Sequence, residues 1–361
     1  MLITVVIVNY KVKYFVSQAI EALRIASEGL DCATYVVDNA SEDGSVEYLR
    51  KRFPEINIIA NKANVGFAKA NNQAVRTSQS KYVLLLNPDT LIGRDTLQQV
   101  LRHMESHPEV GAVGVKMHDA QGNFLPESKR GSVSLWSCAC RFSGLSRLFP
   151  HSRLFNAYYM GWLNPTEPHS VGLLAGAFMM LRRDAFEEVG LLDERYFMYG
   201  EDIDLSYSLR QKGYRCDYLP VPLLHYKGES EAASGDPTRY RHAFFGAMQL
   251  FYEKYHPHNK LGQWIIGRAA AILAHRHAKQ TKEPAHAHKR TLDDLNLLSI
   301  DLSQATKDSL PHNRNLLVTL SADTYDKFLA LLSESEGLGC TFYTLHKDDG
   351  YILGPGGVWH I

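Results

Sequence analysis

Apolar positions in residues 1–90 follow two alternating rhythms. Ile3 to Val8 is a nearly continuous apolar run rich in β-branched residues, and Thr34 to Val37, Ile56 to Ala60 and Tyr82 to Leu86 repeat the texture. Between these runs, residues 14–28, 45–53 and 68–78 read as helices, as the spacing of Phe15, Ala19, Ala22, Leu23 and Ala26 illustrates. Short apolar runs of this kind are strands buried on both faces. Their alternation with helices predicts an α/β fold with a mostly parallel central sheet flanked by helices. Strands here end in polar residues: Asn9-Tyr10, Asp38-Asn39 and Asn87-Pro88-Asp89. Ligands of such sheets bind beyond the carboxyl ends of the strands, so these endings predict a site.

Residues 111–168 show no clean period and predict irregular structure. A glycine-punctuated apolar segment follows at 172–181, then short helices at 183–189 and 202–212, a strand at 216–220 and a turn at His225. From Lys260 the texture changes. Residues 260–290 carry seven Lys or Arg against one acid, Glu283, and Leu261, Trp264, Ile265, Ala269, Ile272 and Leu273 share one helical face. A basic helix with Trp on its apolar face suits an anionic membrane surface, and a helix packed on its own domain shows the same pattern. Residues 281–314 read as a polar linker. A strand at 315–320, a helix at 323–332, a strand at 341–345 and a turn at Asp349-Gly350 then make a small α/β tail. The predicted divisions are 1–255, a basic helical segment 256–290, and a linker with tail 291–361.

Composition narrows the function. The 361 residues are 45% hydrophobic and 22% charged, which suits a chain with a sizeable core. Lys plus Arg and Asp plus Glu each number 39, so the formal charge is zero and a nucleic-acid partner is not expected. Five scattered Cys form no Cys-x-x-Cys, which argues against a disulfide framework or zinc ribbon and suits a reducing compartment. The first residues lack the basic n-region of a signal peptide, and the longest apolar run, Leu173 to Leu181, is too short to span a bilayer. The expected location is cytoplasmic, with peripheral contact at the inner membrane face if the basic helix binds lipid.

Five places carry chemistry. Asp38, at a strand end, can accept hydrogen bonds from a ribose or base, or cap the next helix. Gly66, in Asn64-Val65-Gly66-Phe67, lets backbone approach a ligand ahead of a helix start that favours anions. Asp89 ends an apolar strand with a hard oxygen ligand suited to Mg²⁺ or Mn²⁺ on a diphosphate, or caps the helix near Thr96. Glu201, Asp202 and Asp204 cluster at a helix start, where acids complement the macrodipole or serve as a general base. His225 follows, either structural or part of a metal shell.

The order of these pieces resembles glycosyltransferase family 2, with the GT-A fold. The resemblance rests on Thr4–Asn9, Val37-Asp38-Asn39-Ala40-Ser41, Asn64-Val65-Gly66-Phe67-Ala68, Asn87-Pro88-Asp89, Gly176-Ala177-Phe178, Gly200-Glu201-Asp202 and His225, and covers residues 1–255. Within the family the chain is similar to the bacterial rhamnosyltransferase-like members that build cell-surface polysaccharides. The resemblance implies a nucleotide-sugar donor, a dTDP- or UDP-sugar, held by Asp38 with Asn9, Asn39, Gly66, Asn72 and Asn87. It implies a divalent cation, Mn²⁺ or Mg²⁺, on Asp89 and His225, with Asn87 in place of the first acid of the family's Asp-x-Asp motif. It implies Asp202 as the base, with Glu201 beside it, for inverting transfer to a saccharide or lipid-linked saccharide. A nucleotidyltransferase would need a Gly-rich loop after the first strand, and Asn9-Tyr10-Lys11-Val12-Lys13 has none. An inactive nucleotide-sugar-binding module has no use for the retained Glu201-Asp202 and His225. A dinucleotide oxidoreductase would show Gly-x-Gly-x-x-Gly there, which is missing.

Overall fold

The structure, a computed structural model, describes residues 1–234, 237–280 and 291–361. Nine strands form the main sheet: β1 (Ile3–Asn9), β2 (Cys32–Asp38), β3 (Asn57–Ala60), β4 (Tyr82–Leu86), β5 (Thr90–Ile92), β6 (Val110–His118), β7 (His169–Val171), β8 (Phe178–Arg182) and β9 (Arg215–His225). Their order is β3-β2-β1-β4-β8-β6-β9-β5, and β7 also pairs with β9. Strands β1, β2, β3, β4, β6 and β9 point one way, while β5, β7 and β8 run antiparallel to their neighbours. All seven residues of β1 are buried. Ile3, Val5 and Ile7 enter one core and Val6 and Val8 the other, as period-2 side chains must when both faces are covered. Helices Lys13–Ala26 and Phe67–Thr77 supply part of that cover.

The middle of the chain corrects the sequence expectation. Residues 110–118, expected to be irregular, form β6, and helix Leu135–Ser143 follows. Gly111 and Gly114 hid the strand because glycine lowers strand propensity. They are there for space: a Cβ on Gly111 would come within 2.8 Å of the Tyr214 side chain, and one on Gly114 within 2.8 Å of Leu174. Strand β9 is also longer than expected. Its pairing with β6 shifts register between Leu219 and Pro222, where prolines cannot donate to the ladder, and then resumes. His225 is therefore the last residue of a strand rather than part of a turn.

Residues 291–361 carry a second sheet, β10 (Leu297–Ile300), β11 (Asn315–Thr319), β12 (Thr341–His346), β13 (Tyr351–Gly354) and β14 (Gly357–His360), in that order. Helix Tyr325–Glu334 turns Phe328, Leu329 and Leu332 into the same core that holds Phe15 and Ile20 of the first helix. Polar bonds reinforce the junction. The Gln18 amide donates to Thr344 Oγ1 at 2.6 Å, and Arg52 bridges Glu21 and Asp349.

Helix Lys260–Gln280 packs along helix Pro237–Tyr255. Its predicted apolar face stays open, with Leu261 70% exposed and Trp264, Ile265 and Ile272 each about half exposed or more. The face is thus not packing against the chain's own domain. The Leu273 side chain and residues 281–290 lie outside the described residues. Among the described residues, no helix is long and apolar enough to cross a membrane.

Candidate active site

The carboxyl ends of β1, β2 and β4 converge as the strand endings predicted, and β9 brings His225 to the same edge. A cavity of about 450 Å³ opens there. Asn39, Asn87, Asp89, Glu201, Asp202 and His225 all line it. These six come from four separate stretches of chain.

Asp89 follows β4 and precedes β5, so it does not cap the helix near Thr96. Its Oδ1 lies 3.3 Å from His225 Nε2, because β5 pairs with the end of β9 and puts Thr90 opposite His225. Burial disfavours the Asp89 carboxylate, but the His225 imidazole and backbone N–H groups more than compensate and hold its carboxyl below the usual range. Asn87 Nδ2 sits 3.5 Å from the same His225 nitrogen. Two ligands at right angles on one Mg²⁺- or Mn²⁺-like ion are about 3 Å apart when each bond is about 2.1 Å. The Asp89 and His225 atoms match that separation, and His225 Nδ1 is buried without a partner. The donor set of carboxylate, imidazole and amide fits a divalent cation.

Glu201, Asp202 and Asp204 open helix Glu201–Gln211, and the structure gives each a different environment. Tyr199 and Gly200 both hold positive φ, 68° and 85°, and this double left-handed turn aims the first helical turn into the cavity. Asp202 Oδ2 accepts from Arg130 Nη2 at 2.6 Å and from the Gly176 N–H at 3.2 Å. Its Oδ1 accepts from the Ile203 N–H at 2.8 Å. Glu201 is buried and its Oε2 has no partner. Burial, with the neighbouring Asp202 charge, pushes its carboxyl well above the usual range. The pair is therefore divided: Asp202 is ion-paired with Arg130, and burial favours the neutral form of Glu201. Asp204 faces away and pairs with Lys254 Nζ at 2.7 Å, tying down helix Pro237–Tyr255.

Four predicted residues do not line this cavity. Asn9 is fully buried and donates to Asp38 Oδ2 at 2.7 Å. Asp38 does not cap a helix: its oxygens accept from the Ser41 N–H and hydroxyl, and it lines a smaller recess with Asn61 and Lys62. Gly66 starts helix Phe67–Thr77 at φ 88°, where its carbonyl accepts from Asn39 Nδ2. A Cβ there would lie 2.6 Å from the Phe197 carbonyl oxygen. Asn72 is fully buried, donating to the Leu192 carbonyl at 2.8 Å and accepting from the Leu192 N–H. It fastens the loop before the acidic cluster and does not reach the pocket.

Sequence reading missed Arg130, Glu127 and Lys227, which line the cavity together with Tyr10 of the first strand ending. Arg130 lies 72 residues before Asp202 in a segment without period, so nothing local marks it. A second acidic group, Glu21 with His346 and Asp349, lies between the first helix and the tail. Arg52 neutralises it by pairing with both carboxylates, which makes it a clamp.

Comparison with known proteins gives the chain its family. The model described as "Glycosyl transferase family 2" matches residues 4–190, more than half of the chain. The chain belongs to glycosyl transferase family 2. This glycosyltransferase is 29% identical over 264 residues to the N-acetylglucosaminyl-diphospho-decaprenol L-rhamnosyltransferase of Mycobacterium tuberculosis, covering 70% of this chain and 84% of that one. It is 29% identical over 171 residues to rhamnosyltransferase WbbL of Escherichia coli, covering 45% of this chain and 61% of that one. Among solved structures, a mannosyltransferase from Pyrobaculum calidifontis aligns with a TM-score of 0.48 and 17% identity, over 93% of this chain and 86% of that one. The glycosyltransferase has the GT-A architecture, with the tail sheet appended.

Proposed function

We propose that this glycosyltransferase moves a sugar, with inversion, from a nucleotide diphosphate donor to a hydroxyl of a lipid-linked saccharide in cell-surface polysaccharide synthesis. The observation that carries this reading is the shared cavity: Asp202, fixed by Arg130, faces the same space as Asp89 and His225. The donor diphosphate lies at Asp89, Asn87 and His225, which would hold a Mn²⁺ or Mg²⁺ ion. Such an ion, when bound, offsets the charge of the departing diphosphate. Asn39, together with the Asn9–Asp38 side-chain pair and the Gly66 turn behind it, shapes the nucleoside end. Asp202 Oδ atoms are held by three donors, so the carboxylate is oriented before the acceptor arrives. It takes the proton of the acceptor hydroxyl as that oxygen attacks the anomeric carbon from the face opposite the diphosphate. The anomeric bond to the diphosphate breaks as the new glycosidic bond forms, and the configuration inverts. Burial of Glu201 disfavours a second negative charge beside the base.

Rhamnose from dTDP-rhamnose is the proposed donor sugar, on the strength of the rhamnosyltransferase relatives. The lipid-linked acceptor follows from the decaprenol carrier in the name of the mycobacterial relative and from the open apolar face of helix Lys260–Gln280. That face, with the basic residues around it, suits peripheral contact at the cytoplasmic face of an anionic membrane. The test is calorimetric binding and turnover of a nucleotide-sugar panel with Mn²⁺, Mg²⁺ or EDTA. One donor should bind and turn over with metal. Asp89→Ala should lose metal-dependent binding, and Asp202→Asn should bind donor but not transfer it. A folded wild type that binds no nucleotide sugar with metal present would overturn the reading, and a retained anomeric configuration by NMR would overturn the mechanism.

A further inference from the structure

A second and larger cavity adjoins the first. It encloses about 600 Å³ between helix Leu135–Ser143 on one side and helices Pro237–Tyr255 and Lys260–Gln280 on the other. The volume lies within the range of small-molecule sites. Its walls are apolar and aromatic, with Phe142, Phe244, Met248, Phe251 and Ile266 among them. No carboxylate lines it among the described residues.

Three features say what would fill it. The cavity borders the catalytic one, since Tyr199, Gly200 and Ile203 line both, and Ile203 donates its N–H to Asp202. An occupant would therefore lie one residue from the proposed base. The one cation of constant charge in the wall, Arg141, stacks on Tyr158 at 4.6 Å and has no carboxylate within ion-pairing distance among the described residues. It offers its charge to an anionic group. The rim on the side of helix Leu135–Ser143 is exposed apolar surface: Leu135 and Trp136, which line the cavity, are 60% and 50% exposed. An apolar channel with an unpaired Arg and a Trp-bearing lip has the chemistry of a lipid diphosphate: a chain for the walls, an anion for the Arg, a bilayer for the rim.

We infer that this cavity holds the isoprenoid chain nearest the diphosphate of a polyisoprenyl-diphosphate-linked acceptor and leads its saccharide to Asp202. The inference rests on the proposed function and specifies its acceptor. Geranylgeranyl diphosphate is the probe, titrated into the full chain by calorimetry against isopentenyl diphosphate, which shares the head group and lacks the chain. The longer diphosphate should bind at least tenfold more tightly. Met248→Trp, which fills the cavity, and Trp136→Ser, which strips an exposed rim residue, should each weaken it about tenfold and leave nucleotide-sugar binding as in the wild type. Equal affinity for the two diphosphates would overturn the inference. So would unchanged affinity in both folded variants, or a sedimenting dimer that Trp136→Ser dissociates, which would give the groove to a second copy. Failure of the proposed function looks different: nucleotide sugars would not bind even where chain-length discrimination is seen.

Discussion

Arg130 and Asp202 give the sharpest energetic test. Arg130 Nη2 is 2.6 Å from Asp202 Oδ2, and the side chains are only 8% and 17% exposed. At an effective dielectric constant of 20, two unit charges 4 Å apart attract by about 4 kcal/mol, and the desolvation of both ions cancels much of that. Removing one partner is another matter. Arg130→Met leaves a buried carboxylate without its counterion and also removes a donor from the Leu174 carbonyl. Asp202→Asn leaves a buried guanidinium. Each should destabilise by about 3–5 kcal/mol. The double variant leaves neither ion, so its cost should fall short of the sum by roughly 2 kcal/mol or more. Urea unfolding of the four proteins at pH 7, followed by circular dichroism, supplies the cycle. Additive costs, or a loss below about 1 kcal/mol for Arg130→Met, would refute the claim that the pair is a coupled buried unit.

Glu229 is buried, accepts the Gly356 N–H at 3.0 Å, and burial pushes its carboxyl from 4.5 up to about 7. The folded chain then binds this proton more tightly than the unfolded one, so stability falls as pH rises between those two values, by up to about 3 kcal/mol. Urea midpoints across that window should fall less steeply for Glu229→Gln, and identical slopes would contradict the assignment. Gly66→Ala forces a side chain to φ 88° and against the Phe197 carbonyl, so strain of about 1–3 kcal/mol before any clash is expected in thermal unfolding. A wild-type melting temperature in that variant would show the turn can move. Phe328→Ala in the tail helix should cost about 3–5 kcal/mol and lower one common transition, because Phe328 shares a core with the first helix. Two separate transitions, one insensitive to the substitution, would mean that the tail unfolds independently.

Much of the catalytic half was legible locally. The runs at 3–8, 34–37 and 82–86 became β1, β2 and β4, because an apolar run between polar ends has few alternatives to a buried parallel strand. Asn39, Asn87, Asp89, Glu201, Asp202 and His225 line one cavity because strand ends and helix starts are marked in sequence by turn and cap residues. Strand β6 escaped because its two glycines answer to Tyr214 and Leu174, which are distant in the chain.

The sequence by itself determined the alternation of strands and helices, the edge at which polar residues gather, and the carboxylates available there. Local spacing and composition suffice for these. Tertiary structure alone decided how those carboxylates differ. Arg130 reaches Asp202 from a loop 72 residues away, Lys254 claims Asp204, and Glu201 is left buried without a partner. It also decided that Asn9, Asp38 and Asn72 brace the site from behind, and that the apolar face of helix Lys260–Gln280 stays open beside an apolar channel. Proton affinity and exposure depend on neighbours brought together by folding, and no local pattern records them.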